Sequence, residues 1–439
     1  MLRKLKTTAK TFAQHLFITL DFFNRNGLAN HAAAAAYGFL LSAAPMILIV
    51  SFFLVRAFRA APQALTPFLN IPSGENWPAL EELISMPPGI PTLVSIIGIL
   101  WAGRIFAVSL HRGLKIVFVG KKKRNPVTDN LVTLAIEFTI LVVMLAVILG
   151  SRAARHLYST AGGFRSAPFP YVLEFLSSHQ TLQLVLLGIL LYFAYRAIPA
   201  NPPSRLSALF GGVFCVVAYG AATTLIGLLQ GQPGYNFLEG ALGDLFVLLA
   251  SIYFFFLFFF LGAQFAAVTN SFDALFFLRL RETRIKAAGN GKAPKPADRL
   301  FRSTDGKLKK YYRFYRAGET VLSKGDLGTS VYFLLEGEAE VLLPSLNEPG
   351  DSAGTLQAGT FLGEMGYLLS ESRTATIRAK TDLAALELPP QLFETILDSD
   401  VNLDRSIIEN LSSRIKNDNE RIAALSRNIA QGNLAPPPA

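Results

Sequence analysis

A single cysteine, Cys215, occurs in 439 residues. No disulfide can form within one chain, and no cysteine cluster can hold zinc. Histidine is scarce too: His15, His31, His111, His156 and His179 are scattered, without metal-ligand spacing. No Gly-rich loop ending in Lys-Ser or Lys-Thr is present, which removes the P-loop hydrolases. A nuclease would need paired carboxylates or histidines beside a basic groove, and the sequence offers neither. No catalytic constellation emerges, so the expectation is a protein that is not an enzyme and holds no metal. Charge is thin at 16% of residues, against about 25% in soluble domains. Residues 206–238 and 245–272 carry no Asp, Glu, Lys or Arg at all. The basic start, Met1–Lys10, precedes an amphipathic rather than an apolar stretch, so no cleavable signal peptide is expected.

Apolar residues make up 51% of the chain, with 35 Phe, and they crowd before residue 273. The expected organisation opens with a basic amphipathic helix over 1–30, where Phe12, Leu16, Leu20 and Phe23 recur at helical spacing and suit a membrane surface. A six-helix membrane bundle over 31–270 follows. Its spans are expected at about 26–55, 90–110, 130–151, 181–199, 206–230 and 243–268, each long enough for a hydrocarbon core of about 30 Å. The net charge of +10 suits either nucleic acid or the cytosolic flanks of spans. Its placement favours the flanks, so the bilayer and not nucleic acid is the expected partner. Lys and Arg concentrate at the N-terminus, over 112–124 and over 279–286, which puts both termini in the cytosol. Arg104, Glu137, Arg196 and Asp244 fall within or beside spans. Arg196 and Asp244 suit helix ends, while Arg104 and Glu137 could pair as a structural bridge or line a polar path.

Several motifs in this region carry a resemblance. Ala33-Ala-Ala-Ala-Tyr-Gly-Phe-Leu-Leu-Ser-Ala-Ala-Pro, Tyr195-Arg-Ala-Ile-Pro, Tyr235-Asn and Gly262-Ala-Gln resemble the YihY/BrkB family of bacterial inner-membrane proteins, over roughly 10–270. The resemblance implies a multi-pass protein of the bacterial inner membrane and no settled activity. The family usually carries Glu where Gln264 stands, so any proton-carrying role of that carboxylate is missing here.

The most informative stretch is Phe361–Ala379. Glu364 follows Gly363, and Arg373 lies nine residues further on, ahead of an alternating strand. A carboxylate can accept a ribose hydroxyl's proton in a hydrogen bond, and a guanidinium can pair with an anionic phosphodiester. Gly318, Gly325, Gly328 and Gly337 punctuate short apolar strands upstream, as tight turns require. Together, about Tyr312 to Ile422 resembles the cyclic-nucleotide-binding domains, and Phe361–Ala379 their phosphate-binding cassette. The resemblance implies a β-roll and a cAMP or cGMP site. Gly363 would be its tight glycine, Glu364 its ribose carboxylate, Arg373 its phosphate arginine, and Gly366 and Thr374 the donors of backbone N–H groups. Thr374 either bonds the guanine amino group or merely starts a strand, and the base stays open.

Between the two parts, 271–305 is expected to be a basic flexible linker, with Arg279–Lys286 helical and the Gly- and Pro-bearing stretch behind it a poor transmitter of force. The cyclic-nucleotide-binding region is expected over 306–430 and a disordered tail over 431–439. Ile408, Leu411, Ile415, Asp418, Ile422, Leu425 and Ile429 form a heptad-like seam with one polar break. It either joins two copies as a homo-oligomer or lies on the roll. The fold class expected is therefore an α-helical integral membrane bundle followed by a soluble β-roll with flanking helices. The function expected is a transporter or channel of the inner membrane regulated by cyclic nucleotide. The alternative is a non-transporting scaffold whose roll mediates dimerisation or partner recruitment.

Overall fold

The computed structural model describes residues 2–41, 90–120, 179–230, 241–290, 301, 307–344 and 349–400, with isolated positions between 125 and 132 and between 403 and 427. Residues 19–270 form one compact unit. Residues 1–18 and 271–439 form the other.

The helices are α1 (Leu2–Arg25), α2 (residues 28–41), α3 (Ile90–Val117), α4 (His179–Ala197), α5 (Arg205–Gln230), α6 (Ala241–Asn270) and α7 (Phe272–Asn290). Helix α1 stops because Gly27 takes φ +61°, after which the chain re-enters helix as α2. Arg205–Leu225 and Phe246–Asn270 are long and apolar enough to cross a membrane. Only 22% and 28% of the residues in their apolar windows are buried. Residues 42–55 of the expected first span and nearly all of the third, with Glu137, lie outside the described residues, as does any pairing of Arg104 with Glu137. Arg196 ends α4 and donates from Nη1 to the Pro203 carbonyl at 2.7 Å.

Within residues 19–270, small residues let α5 and α6 meet backbone to backbone. A Cβ on Gly211 would lie 2.6 Å from the Gly262 carbonyl oxygen, and one on Gly262 would lie 2.8 Å from both Cys215 Cβ and Tyr195 Oη. Close approach of this kind drives helix association where no hydrophobic effect operates. The buried Tyr195 hydroxyl donates to the Phe259 carbonyl at 2.7 Å, so no polar atom is stranded in the contact. Gln264, also buried, accepts a long bond from Asn26 Nδ2 at 3.4 Å.

The described residues of the other unit include eight strands: β1 (Tyr312–Tyr315), β2 (Thr320–Leu322), β3 (Val331–Glu336), β4 (Glu338–Pro344), β5 (Pro349–Gln357), β6 (Phe361–Leu362), β7 (Thr376–Ala379) and β8 (Leu383–Leu388). They form two antiparallel sheets in the orders β1-β8-β3-β6 and β2-β7-β4-β5. Period-two alternation divides the first sheet cleanly. Tyr332, Leu334, Leu362, Leu383 and Ala385 join Val321, Leu322, Ile377 and Ala379 of the second sheet in one core. Phe333 and Phe361 point the other way, where Phe277 of α7 meets them at centroid distances of 5.0 and 6.1 Å.

That contact corrects the expected linker over 271–305. Phe272, Leu275, Phe276, Phe277 and Leu280 are buried, and this apolar face makes Phe272–Asn290 a docked helix. Lys310 Nζ and Tyr311 Oη, in the 3-10 turn Lys307–Tyr311 before β1, both reach the Asp273 carboxylate, at 2.8 and 3.2 Å. The Gly- and Pro-bearing residues past α7, of which 291–300 lie outside the described residues, join two parts of one unit. The first helix forms over Leu2–Arg25. It buries Gln14, His15 and Ile18 and leaves Phe12 and Leu20 exposed. The described residues of the C-terminal helix include buried Leu403 and Ile407, while the seam from Ile408 onward lies outside them.

Gly262→Val should destabilise the full chain in detergent by about 1–3 kcal/mol through overpacking, read as a melting temperature lowered by several degrees. Gly220→Ala meets nothing within 4 Å and should melt within about 0.5 kcal/mol of the parent. Equal melting of the two would contradict the α5–α6 contact.

Candidate functional site

Arg373 sits between β6 and β7 in sequence, and three backbone segments fix it. Its N–H donates to the Asp326 carbonyl at 3.0 Å, and its carbonyl accepts from Gly325 N–H at 2.8 Å. Gly325 takes φ +86°, which turns the loop after β2 back onto the arginine. The side chain then runs inward. Nη1 donates to the Gly363 carbonyl and Nη2 to the Ser330 carbonyl. Nε is buried and has no hydrogen-bond partner among the described residues.

Glycine makes the room. Gly363 takes φ +74° at the start of α8 (Glu364–Leu369), a conformation that penalises any side chain. A Cβ there would lie 2.6 Å from Arg373 Nη1 and 2.9 Å from Leu322 Cδ1. Gly366 would bring a Cβ to 3.3 Å from Nη1, and Gly328 one to 3.4 Å from Nη2. Helix α8 ends at Ser370, the one non-glycine residue with positive φ among the described residues, and Glu371 N–H then bonds back to the Gly366 carbonyl at 3.1 Å.

Two opposite charges are thus withdrawn from water. Glu364 is 6% exposed and Arg373 4%. Burial pulls the Arg373 pKa below its ordinary value, and nearby Tyr332, Asp326 and Glu364 oppose that shift. A guanidinium keeps its charge in proteins, so the site is a buried cation with an unmet donor beside a buried carboxylate. Such an arrangement can hold an anion that also presents a hydroxyl.

Four of the five residues singled out from the sequence, Gly363, Glu364, Gly366 and Arg373, come together here. Thr374 follows Arg373 and is exposed. Sequence reasoning missed Asp326, Ser330 and Tyr332, which position or face the guanidinium. The signal was Gly325-Asp-Leu-Gly328, whose glycines were taken as turn residues alone. Tyr332 is also hydrogen-bonded to the Tyr315 hydroxyl, and burial raises the pKa of both phenols.

Comparison with known proteins follows the same division of the chain. The family described as virulence factor BrkB matches residues 19–276, and the family described as cyclic nucleotide-binding domain matches residues 312–400. A cAMP-dependent protein kinase regulatory subunit of Emericella nidulans is 33% identical over 91 residues, 21% of this chain and 21% of that protein. A cyclic nucleotide-gated potassium channel of Rhizobium etli is 30% identical over 95 residues, 22% of this chain and 25% of the channel. The chain therefore spans about a tenth to a quarter of the curated relatives it matches. Among solved structures, a catabolite activator protein of Thermus thermophilus is 22% identical, with 31% of this chain and 62% of that chain covered at a TM-score of 0.26.

Gly363→Ala should loosen the cassette by about 1–3 kcal/mol, since positive φ and the crowded guanidinium both oppose a side chain. Gly318→Ala also meets positive φ, +91°, but opens onto empty space, and should cost about 1 kcal/mol. Hydrogen exchange of residues 361–373 in the full chain checks the order, and a larger effect at Gly318 would contradict the packing described.

Proposed function

The chain belongs to the virulence factor BrkB family, and we propose that it is a membrane protein regulated by a cyclic nucleotide bound at its C-terminal domain. The observation that carries this reading is the buried Arg373, whose Nε–H lacks an acceptor among the described residues, beside the buried Glu364. A cyclic phosphodiester supplies the anion, and its ribose hydroxyl suits the carboxylate. Gly363 and Gly366 keep side chains out of the space around the guanidinium, and the backbone N–H groups of Gly366 and Thr374 complete the proposed phosphate contacts. The ligand is cAMP or cGMP. In the guanine alternative, the exposed Thr374 hydroxyl meets the base amino group.

The finer reading is a transporter or channel with six spans, multi-pass in the bacterial inner membrane, with both termini cytosolic. Supporting it are the apolar helices α5 and α6 and the basic clusters at the N-terminus, 112–124 and 279–286. Ligand that binds two states of the membrane domain unequally shifts their balance. The scaffold reading is favoured by the apolar seam from Ile408 to Ile429, which suits pairing of two copies. A nucleotide-dependent change in oligomer mass without solute flux across vesicles would select it.

Calorimetric titration of the full chain in detergent with cAMP, cGMP and cyclic dinucleotides tests the ligand. Arg373→Ala should weaken binding by about 100-fold, the worth of a charged hydrogen-bonded contact near 3 kcal/mol. Glu364→Gln should weaken it by about tenfold. Unchanged affinity in Arg373→Ala would overturn the site.

A further inference from the structure

The outer face of the first sheet joins the cassette to both ends of its unit through a run of aromatic rings. Tyr367, on α8, meets Phe393 of α9 (Pro390–Ser399) edge to face at 5.3 Å. Phe393 meets Phe361 at 5.6 Å, Phe361 meets Phe333 at 5.0 Å, and Phe333 meets Phe277 of α7 at 5.0 Å. The preceding residue on α7, Phe276, meets Phe301 at 5.5 Å.

The first helix closes the run. Phe17 lies 5.6 Å from Phe301 and takes the Arg279 guanidinium on its face at 5.3 Å. His15 stacks on Phe272 at 3.7 Å with the planes 2° apart, its Nδ1 bonded to the Thr11 carbonyl. Residues 10–18 are therefore a docked part of the unit that holds Arg373. The chain passes between the two units twice, at 18/19 and at 270/271. Helix α1 is unbroken across the first crossing, and α7 starts two residues after α6 ends at the second.

We propose that α7 and residues 10–18 of α1 form the output element of the cassette, linked to it by the ring contacts through Phe361, Phe333 and Phe277. Packed cores move between discrete arrangements rather than deforming smoothly. A shift of α8 that moves Tyr367 must repack Phe393 and Phe361, and Phe277 sits on that cluster. The Gly- and Pro-bearing segment after α7 is off this path. The route rests on the cyclic-nucleotide reading for its natural trigger, but the coupling itself does not need a ligand to be tested.

Hydrogen exchange of the full chain in nanodiscs tests it, first without nucleotide. Arg373→Ala removes the bonds to the Gly363 and Ser330 carbonyls, and should speed exchange in the cassette, in α7 and in residues 10–18 by about fivefold or more. In a Phe277→Ala background the same change should speed the cassette but leave residues 10–18 unaltered. Tyr367→Leu is the second trigger, used if Arg373→Ala does not fold. Acceleration confined to the cassette would overturn the proposal. A second arm adds saturating cAMP or cGMP, which should change exchange in all three segments of the parent chain. Absence of nucleotide binding would overturn the ligand reading alone, since the variant arm still decides the coupling.

Discussion

Taking a guanidinium out of water costs several kcal/mol unless its donors and its charge are met. The C-terminal unit is arranged around meeting that cost at Arg373. Two carbonyls accept from its terminal nitrogens, the loop at Asp326 grips its backbone, and three carboxylate or phenol groups lie close enough to favour its charge. Gly363 and Gly366 leave to the guanidinium space that a side chain would crowd. One donor, Nε, is left over. A buried cation left one bond short among the described residues suits an anion, and the proposed ligand meets both it and the neighbouring Glu364.

The same strands that build the pocket wall also carry its consequences outward. On β3, Tyr332 and Leu334 face the core while Phe333 faces α7, and on β6 Leu362 and Phe361 divide the same way. A sheet one residue thick thus separates the ligand side from a helix that continues from the last apolar helix in sequence. This gives the regulatory reading a physical basis in shared side-chain packing rather than in proximity along the chain.

Much of this was legible in the sequence. Charge-free runs announced α5 and α6, since lipid tolerates few charged groups, and glycines at turn positions announced the roll, since positive φ has few alternatives. The Gly363-Glu364 pair and Arg373 stood out in the sequence because their chemistry is specific, and they lie together in the structure. The docking of α7 was not legible. Arg279, Arg281 and Arg284 read as a solvated basic stretch, and the prolines beyond them as a tether. The signal lay in Phe272, Phe276 and Phe277, which meet His15, Phe301 and the Phe333–Phe361 pair on the outer face of the sheet, partners that distant pairing of β3, β6 and β8 and docking of the first helix bring together. In the first helix Phe12 and Leu20 stay exposed, and what the sequence did not announce is the burial of His15, which stacks as an aromatic ring on Phe272 with its Nδ1 met within the helix.

The central claim is that occupancy of the Arg373 site alters the membrane unit. The chain carries its own reporter: its two tryptophans, Trp77 and Trp101, both fall within residues 19–270, and none lies in the unit with the cassette. Tryptophan emission from the full chain in nanodiscs, excited beyond the nucleotide's absorption, is the most direct measurement. The account predicts a saturable change on adding cAMP or cGMP, absent in Arg373→Ala. Unchanged emission at nucleotide concentrations that fill the site would contradict it.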